Sequence, residues 1–294
     1  MADIINIGSV VTGNMLHRAY TLMNSIKCNK KADTEIDYWL YVELTDTTTE
    51  KHCEEYFQEL TDEKFRIHIM DTALFRYAID PQGGNYVLFI RCFFPQVLTH
   101  LDKIIHLDTD IICCNPGIED LWNMDMDDLY IRAVADIPIT WCPTFQGDKE
   151  NTGAPNYFNA GVMLMNLKKI REDGLDDALV RWSINWDHSK LKCLWRDQTI
   201  LNYVLRDHVE LIPGKWNNQV LGVFDKAVPA MDQFTGNEGY ATSLDSLEDA
   251  VFVHFCGFNK PWSSDAVRSG LKHYPYLNEA QEIWKELQAK YGKK

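Results

Sequence analysis

Positive charge is scarce in this 294-residue chain: 29 lysines and arginines face 43 aspartates and glutamates, for a formal net charge of -14. That balance lacks the basic footprint of a nucleic-acid binder, so nucleic acid is not an expected partner. No run approaches the roughly 18 uncharged apolar residues of a membrane span. The start, Met1 to Ile7, has an early Asp3 and no basic stretch before a long apolar segment, so no secretion signal is expected. Eight cysteines, at 28, 53, 92, 113, 114, 142, 193 and 256, include no Cys-x-x-Cys pair, and the one adjacent pair would point apart on a strand. The pattern predicts free thiols and a cytoplasmic setting. No internal repeat, low-complexity tract or linker divides the chain. What is abundant is apolar residues, 46% of the total, enough for a sizeable core and far from the composition of a disordered chain.

The first hundred residues alternate short β-type runs with helical spacing, the pattern of βαβ units around a buried, largely parallel sheet. The fold class is therefore α/β. Strands are expected at Ile4–Val10, Ile36–Glu43, Phe65–Met70 and Lys103–Leu107, with helices near Met15–Lys27, Thr49–Leu60 and Tyr86–Leu98, the last interrupted by Pro95. Further strands are expected at Ile111–Cys114, Leu129–Ala135, Phe158–Asn166 and Val251–Cys256, and helices near Leu175–Trp186 and Gln198–Arg206. Segments 137–157 and 213–249 read as irregular and are expected to face an acceptor. Residues 278–291 have helical spacing with Trp284 on the apolar side.

Open α/β sheets bind ligands beyond the carboxyl ends of their strands. Lys103-Ile-Ile-His-Leu-Asp-Thr-Asp-Ile-Ile112 ends an apolar strand in two carboxylates, Asp108 and Asp110. On extended backbone residues two apart face the same way, so both can converge on a hard divalent cation such as magnesium or manganese. Solvated loop acids are the plainer alternative. His254, in Val-Phe-Val-His-Phe-Cys-Gly257, is either a satisfied core histidine or the third member of an Asp/Asp/His set that suits manganese better than calcium. Gly257 permits close backbone approach, and Lys260 is a mobile charge suited to phosphate. Arg91 lies in an apolar run and needs an anion, either an internal carboxylate or a ligand phosphate. Asn159 can hold a hydroxyl or cap a loop, Gly161 beside it can admit a ligand to the backbone, and Asp197 can act as a helix N-cap. Asp136, after another apolar strand, is ambiguous in the same way.

Together these segments resemble the family-8 glycosyltransferases, the retaining enzymes that include bacterial lipopolysaccharide glucosyl- and galactosyltransferases and, more distantly, glycogenin. The resemblance runs from about residue 4 to about residue 262. It rests on His-Leu-Asp-Thr-Asp at 106–110, Phe-Asn-Ala-Gly-Val at 158–162, Asp-Gln at 197–198 with Ile-Leu-Asn at 200–202, and His-Phe-Cys-Gly at 254–257 with Lys-Pro-Trp at 260–262. It implies a GT-A fold, a single Rossmann-like domain over residues 1–265 followed by a helical tail, 266–294. It also implies a uridine diphosphate hexose as donor, glucose or galactose, bound through manganese, with magnesium an alternative. By that resemblance Asp108, Asp110 and His254 would hold the metal, and Val10, Thr12, Asn14, Arg91, Thr109, Gly257 and Lys260 the nucleotide. Asp136, Asn159, Ala160, Asp197 and Gln198 would line the sugar, with Gln198 and Asp197 nearest the chemistry and front-face attack as the retaining route. The acceptor would be a saccharide or glycolipid in surface polysaccharide assembly.

One segment departs from the family. Where its members carry an Asp-Asp-Asn-Tyr type loop after the first strand, this chain reads Val10-Val-Thr-Gly-Asn-Met15, and only Asn14 matches. Backbone contacts from Val10 and Thr12 to the base would survive, while the acidic contact and the stacking tyrosine are lost. Other readings differ in kind. A nicotinamide oxidoreductase conflicts with Gly8-Ser-Val-Val-Thr-Gly13, which is not G-x-G-x-x-G. A metal-dependent nucleotide-sugar hydrolase would use the same cation, and a non-catalytic family member would bind a nucleotide sugar or glycan without turnover. The Trp284 tail either packs on the body or rests on a bilayer as a peripheral contact.

Overall fold

Runs rich in Ile, Val, Leu and Tyr become ten strands among the described residues of this computed structural model, which are 4–79, 86–136, 157–185, 196–219, 248–256, 260, 262 and 275–293. They are β1 (Ile5–Val11), β2 (Ile36–Val42), β3 (Phe65–Asp71), β4 (Lys103–Leu107), β5 (Ile111–Cys113), β6 (Ile131–Ala135), β7 (Phe158–Asn166), β8 (Val209–Leu211), β9 (Asn218–Gln219) and β10 (Phe252–His254). Seven form a mixed, mostly parallel sheet in the order β3-β2-β1-β4-β7-β6-β8, and β5, β10 and β9 form a second, small one. In the large sheet β7 alone runs against its neighbours β4 and β6.

Both faces of the large sheet are covered, which is why its strands are nearly continuous apolar runs. Ile7, Ile105 and Leu107 pack on one side with Ala19, Leu22, Met23 and Ile26 of the helix Leu16–Asn29. Tyr41, Ile104 and Met163 pack on the other with Phe89, Ile90, Phe93 and Leu201. The expected helix Tyr86–Leu98 is instead a 3-10 run, Tyr86–Phe93, followed by a short α-helix, Phe94–Val97. Pro95 stands in the first turn of that second helix, where its missing N–H removes no hydrogen bond. The helix expected from Thr49 is Glu50–Phe57, with the Thr49 side chain accepting from His52 N–H at 3.1 Å.

Several short elements carry too few residues to show a period: the helices Ala73–Ile79, Ile118–Trp122 and Leu167–Glu172, and the strands β8 and β9. Segments 137–156 and 220–247, most of the two regions expected to face an acceptor, lie outside the described residues. The final helix, Pro275–Tyr291, settles the tail. Trp284 and Tyr291 are buried, with Trp284 edge-on to Phe255 at 5.1 Å between ring centroids. Asn24 and Asn29 of the first helix donate to the Tyr291 carbonyl at 2.9 Å and the Tyr291 hydroxyl at 3.1 Å. The apolar side of this helix is thus turned onto the body, as the packed reading of the tail expects. Among the described residues no helix is long and apolar enough to cross a membrane.

Candidate active site

The parallel strand β4 ends at Leu107, and the chain turns at once: Ile111 N–H donates to the Asp108 carbonyl at 3.3 Å, closing a tight turn that hands the chain from the large sheet to the small one. The two carboxylates therefore converge across a turn and not, as the extended reading expects, along one face of a strand. The turn is pinned from both sides. Asp108 N–H donates to the Gly161 carbonyl of β7 at 2.8 Å, and Phe255 N–H to the Asp110 carbonyl at 3.0 Å. Since β10 runs antiparallel to β5 with His254 opposite Ile111, the imidazole arrives beside the turn. One ligand atom from each of Asp108, Asp110 and His254 lies within 4.8 Å of the others.

His254 is held with one nitrogen committed. Its Nδ1 lies 2.9 Å from Asn217 Oδ1, while the amide nitrogen of Asn217 donates to Asn159 Oδ1 at 2.9 Å. Because Asn217 presents an acceptor, Nδ1 carries the proton and Nε2 is left facing Asp110 Oδ1 at 3.2 Å and Asp108 Oδ2 at 4.0 Å. An acceptor nitrogen opposed to two carboxylates requires a cation, whether a proton on Nε2 or a metal ion, and two oxygens with one imidazole suit manganese or magnesium. The donor set fits the group that the family resemblance implies. Such second-layer hydrogen bonds are what orient an imidazole ligand.

Gly161 makes this arrangement possible. A Cβ there would overlap the imidazole, lying 2.6 Å from Nδ1, and would come within 2.9 Å of Asn159 Oδ1. The close approach this glycine permits is therefore that of His254, not of a ligand. Asn159 itself is buried and accepts from Gly161 N–H at 2.9 Å as well as from Asn217.

Arg91 sits beneath the turn. Its guanidinium is buried and donates to Asp108 Oδ1 at 2.9 Å, to Asp197 Oδ2 at 2.9 Å and to the Ala160 carbonyl at 2.8 Å. The internal carboxylates are thus partners of Arg91, which braces three motif segments. Burial would raise the Asp108 carboxyl, but Arg91 and then His106, whose Nε2 is 3.2 Å from Asp108 Oδ1, hold it at about 2. Burial and the neighbouring Asp108 charge push the Asp197 carboxyl up to about 6 against the pull of Arg91. Asp197 lies inside the first turn of the helix Arg196–Leu205 with its carboxylate on Arg91, so it is not that helix's N-cap. Asp110 is held well below the usual range, against burial, by Lys260 and His254. The Lys260 ammonium donates to Asp110 Oδ2 and, at 2.8 Å, to the Phe255 carbonyl.

A second cluster adjoins the first. Gln198 donates its amide N–H to Asp136 and accepts Ala160 N–H at 3.0 Å, while Asn202, one turn on, accepts Phe158 N–H at 2.8 Å. Asp136, Asn159, Ala160, Asp197 and Gln198 are thereby assembled around the start of β7. The turn after β1 is more loosely tied: Thr12 Oγ1 donates to Asn14 Oδ1 at 2.8 Å, and Met15 N–H to the Thr12 carbonyl at 2.9 Å. Val10 is half-buried near the end of β1, Thr109 sits in the carboxylate turn, and Gly257 lies outside the described residues. Asn217 belongs to none of the motifs of the sequence. A signal was present in the run Asn217-Asn218-Gln219 after Trp216, three amides that are all buried in the fold.

Comparison with known proteins follows the same residues. The family description "Glycosyl transferase family 8" matches residues 6–266. The chain is similar to General stress protein A of Bacillus subtilis, 23% identical over 94% of this chain and 92% of that protein. It is also similar to a lipopolysaccharide 1,2-glucosyltransferase of Escherichia coli, 27% identical over 58% of this chain, and spans 47% of that relative's length. Among solved structures, the galactosyltransferase LgtC in complex with donor and acceptor sugar analogues superposes with a TM-score of 0.60 at 20% identity, covering 96% of this chain and all, 100%, of the other. With the match running through β1, the carboxylate turn, β7 and β10, the chain belongs to glycosyl transferase family 8 and is a glycosyltransferase of GT-A fold.

Proposed function

We propose that this glycosyltransferase moves a hexose, glucose or galactose, with retention from a uridine diphosphate sugar to a saccharide or glycolipid acceptor in the assembly of a surface polysaccharide. The observation that carries the reading is the pairing of two clusters at the carboxyl end of β4. One, Asp108, Asp110 and His254, suits a divalent cation; the other, Asp136, Asn159 and Gln198, offers amide and carboxylate groups of the kind that bind sugar hydroxyls. Manganese, or magnesium, held by the first cluster would supply a Lewis acid against the charge that develops on the departing diphosphate.

The chain's own residues have separate tasks in this scheme. Lys260 neutralises Asp110 in the absence of donor and turns to the diphosphate when it arrives. Arg91 fixes Asp108 and Asp197 relative to each other and so sets the distance between the metal side and the sugar side. Gln198 is a poor nucleophile to begin with, and its oxygen is occupied by Ala160 N–H. Asp197 is buried and paired with Arg91, so neither residue is free for a double displacement. That favours front-face attack, in which the acceptor oxygen bonds to the anomeric carbon as the bond to the diphosphate oxygen breaks, and the acceptor proton passes to the leaving phosphate.

The test is release of free nucleotide from UDP-, GDP- and ADP-sugars, with manganese and then with chelator, since slow donor hydrolysis needs no known acceptor. Metal-dependent turnover of a UDP-hexose is expected, with hydrolysis overtaken by transfer once an acceptor is supplied. Turnover that no saccharide acceptor diverts from water would favour a hydrolase, and absence of donor binding would favour a non-catalytic family member.

A further inference from the structure

Arg18, on the helix that follows β1, belongs to none of the motifs above, yet it stands at the edge of the site. Its guanidinium lies over the Trp262 ring, 4.0 Å from the centroid, and the same ring has the Lys260 ammonium at 5.8 Å. Asp110 is near enough to attract it, partly offsetting a burial that lowers its pKa. Among the described residues its hydrogen-bonding capacity is nevertheless almost unused. The contact it makes is Nη1 to the Met15 sulfur at 3.2 Å, a weak acceptor, and Nε is shielded from solvent without a hydrogen-bond partner. A guanidinium has five N–H donors in a fork that matches phosphate oxygens. One lying over an aromatic ring, near a carboxylate and a lysine, with a buried donor unsatisfied, offers the donors that an anion takes.

Trp262 is itself held in place. Its ring meets Trp284 of the final helix at 4.5 Å between centroids, and Trp284 is edge-on to Phe255, the residue after His254. The position of Arg18 is thus tied by a tilted and an edge-on ring contact to the strand that carries the imidazole.

We propose that Arg18 binds the diphosphate of the donor, its guanidinium lying over Trp262 and its N–H donors turned to the phosphate oxygens opposite Lys260. This rests on the nucleotide-sugar reading above. It adds an anchor on the helix after β1, beside the turn from which the acidic nucleotide contact is missing.

The experiment is calorimetric titration of wild type, Arg18→Gln and Arg18→Lys with UDP and, separately, with inorganic pyrophosphate, both in manganese, with thermal melts to check folding. Arg18→Gln is expected to weaken both ligands by about tenfold to a hundredfold, and Arg18→Lys to restore part of the loss. Donor turnover by Arg18→Gln should show the loss in KM at least as much as in kcat. Unchanged affinity of Arg18→Gln for both ligands would overturn the role of Arg18 and leave the transferase reading standing. Pyrophosphate binding that depends on Arg18, in a protein that ignores UDP, would support Arg18 as a phosphate anchor and overturn the nucleotide reading. Wild-type protein that binds neither would overturn both.

Discussion

The cluster of Asp108, Asp110 and His254 and the turn after β1 are built to different standards. Asp108, Asp110 and His254 are each held by partners from other elements: Gly161 and Arg91 on Asp108, Phe255 and Lys260 on Asp110, Asn217 on His254. Around Thr12 and Asn14 the described bonds join residues within the same turn, and Asn14 is exposed. Preorganisation costs nothing at the moment of reaction when the supporting groups are already in place. In the proposed scheme the contrast puts the hold on the donor at the diphosphate and cation, with side chains of the turn after β1 adding little at the base.

Four outcomes would sharpen or break that contrast. The largest belongs to the cation cluster: Asp110→Asn and His254→Ala should each lower donor turnover by at least about a hundredfold, with folding intact by circular dichroism. Full activity in either would remove the proposed metal role. Next is Gly161→Ala, whose added methyl meets the imidazole and Asn159 Oδ1; we expect manganese affinity to fall about tenfold to a hundredfold while the carboxylates remain unaltered. Thr12→Ala and Asn14→Ala should change donor KM by no more than about fivefold, the worth of an ordinary solvent-accessible hydrogen bond. A larger loss would mean that the base side is built more firmly than its local bonding implies.

The smallest effect is on stability against pH. The Asp197 carboxyl is raised from 3.8 to about 6, so the native state keeps a proton that the unfolded chain releases across that interval. Its contribution is therefore complete below pH 3.8 and is lost as pH rises through about 6. Asp108, lowered to about 2, contributes in the opposite sense, with stability present above 3.8 and lost as pH falls through about 2. Asp197→Asn, which keeps an oxygen for Arg91, should flatten the dependence of melting temperature on pH between 4 and 6. An unchanged slope there would assign the titration to another group.

Much of this was legible in the residues themselves. The apolar runs of β1 to β4, buried on both faces, announce a parallel sheet, and two aspartates closing such a run mark its ligand end. His254 is legible for the same reason, as a polar side chain in an apolar strand. The geometry joining them was not. The turn between Asp108 and Ile111 looks extended in sequence because Thr109 and Ile111 favour strands, and only pairing of β5 with β10 reveals that the chain has changed sheets. Asn217 supports His254 from a segment whose strand β9 is two residues long, too short for any period to register. Arg91 illustrates a further limit: an arginine in an apolar run signals a buried anion, but which anion is decided by Asp108 and Asp197, 17 and 106 positions along the chain, reaching the same point.

Asp108, Asp110 and His254 are proposed to hold a divalent cation that a nucleoside diphosphate shares. Titrating manganese into wild type and His254→Ala, each with and without UDP, tests this directly. Saturable binding to wild type that UDP strengthens is expected, with at least about tenfold weaker binding to His254→Ala. Equal manganese binding by the two proteins, or binding that UDP leaves unchanged, would contradict it.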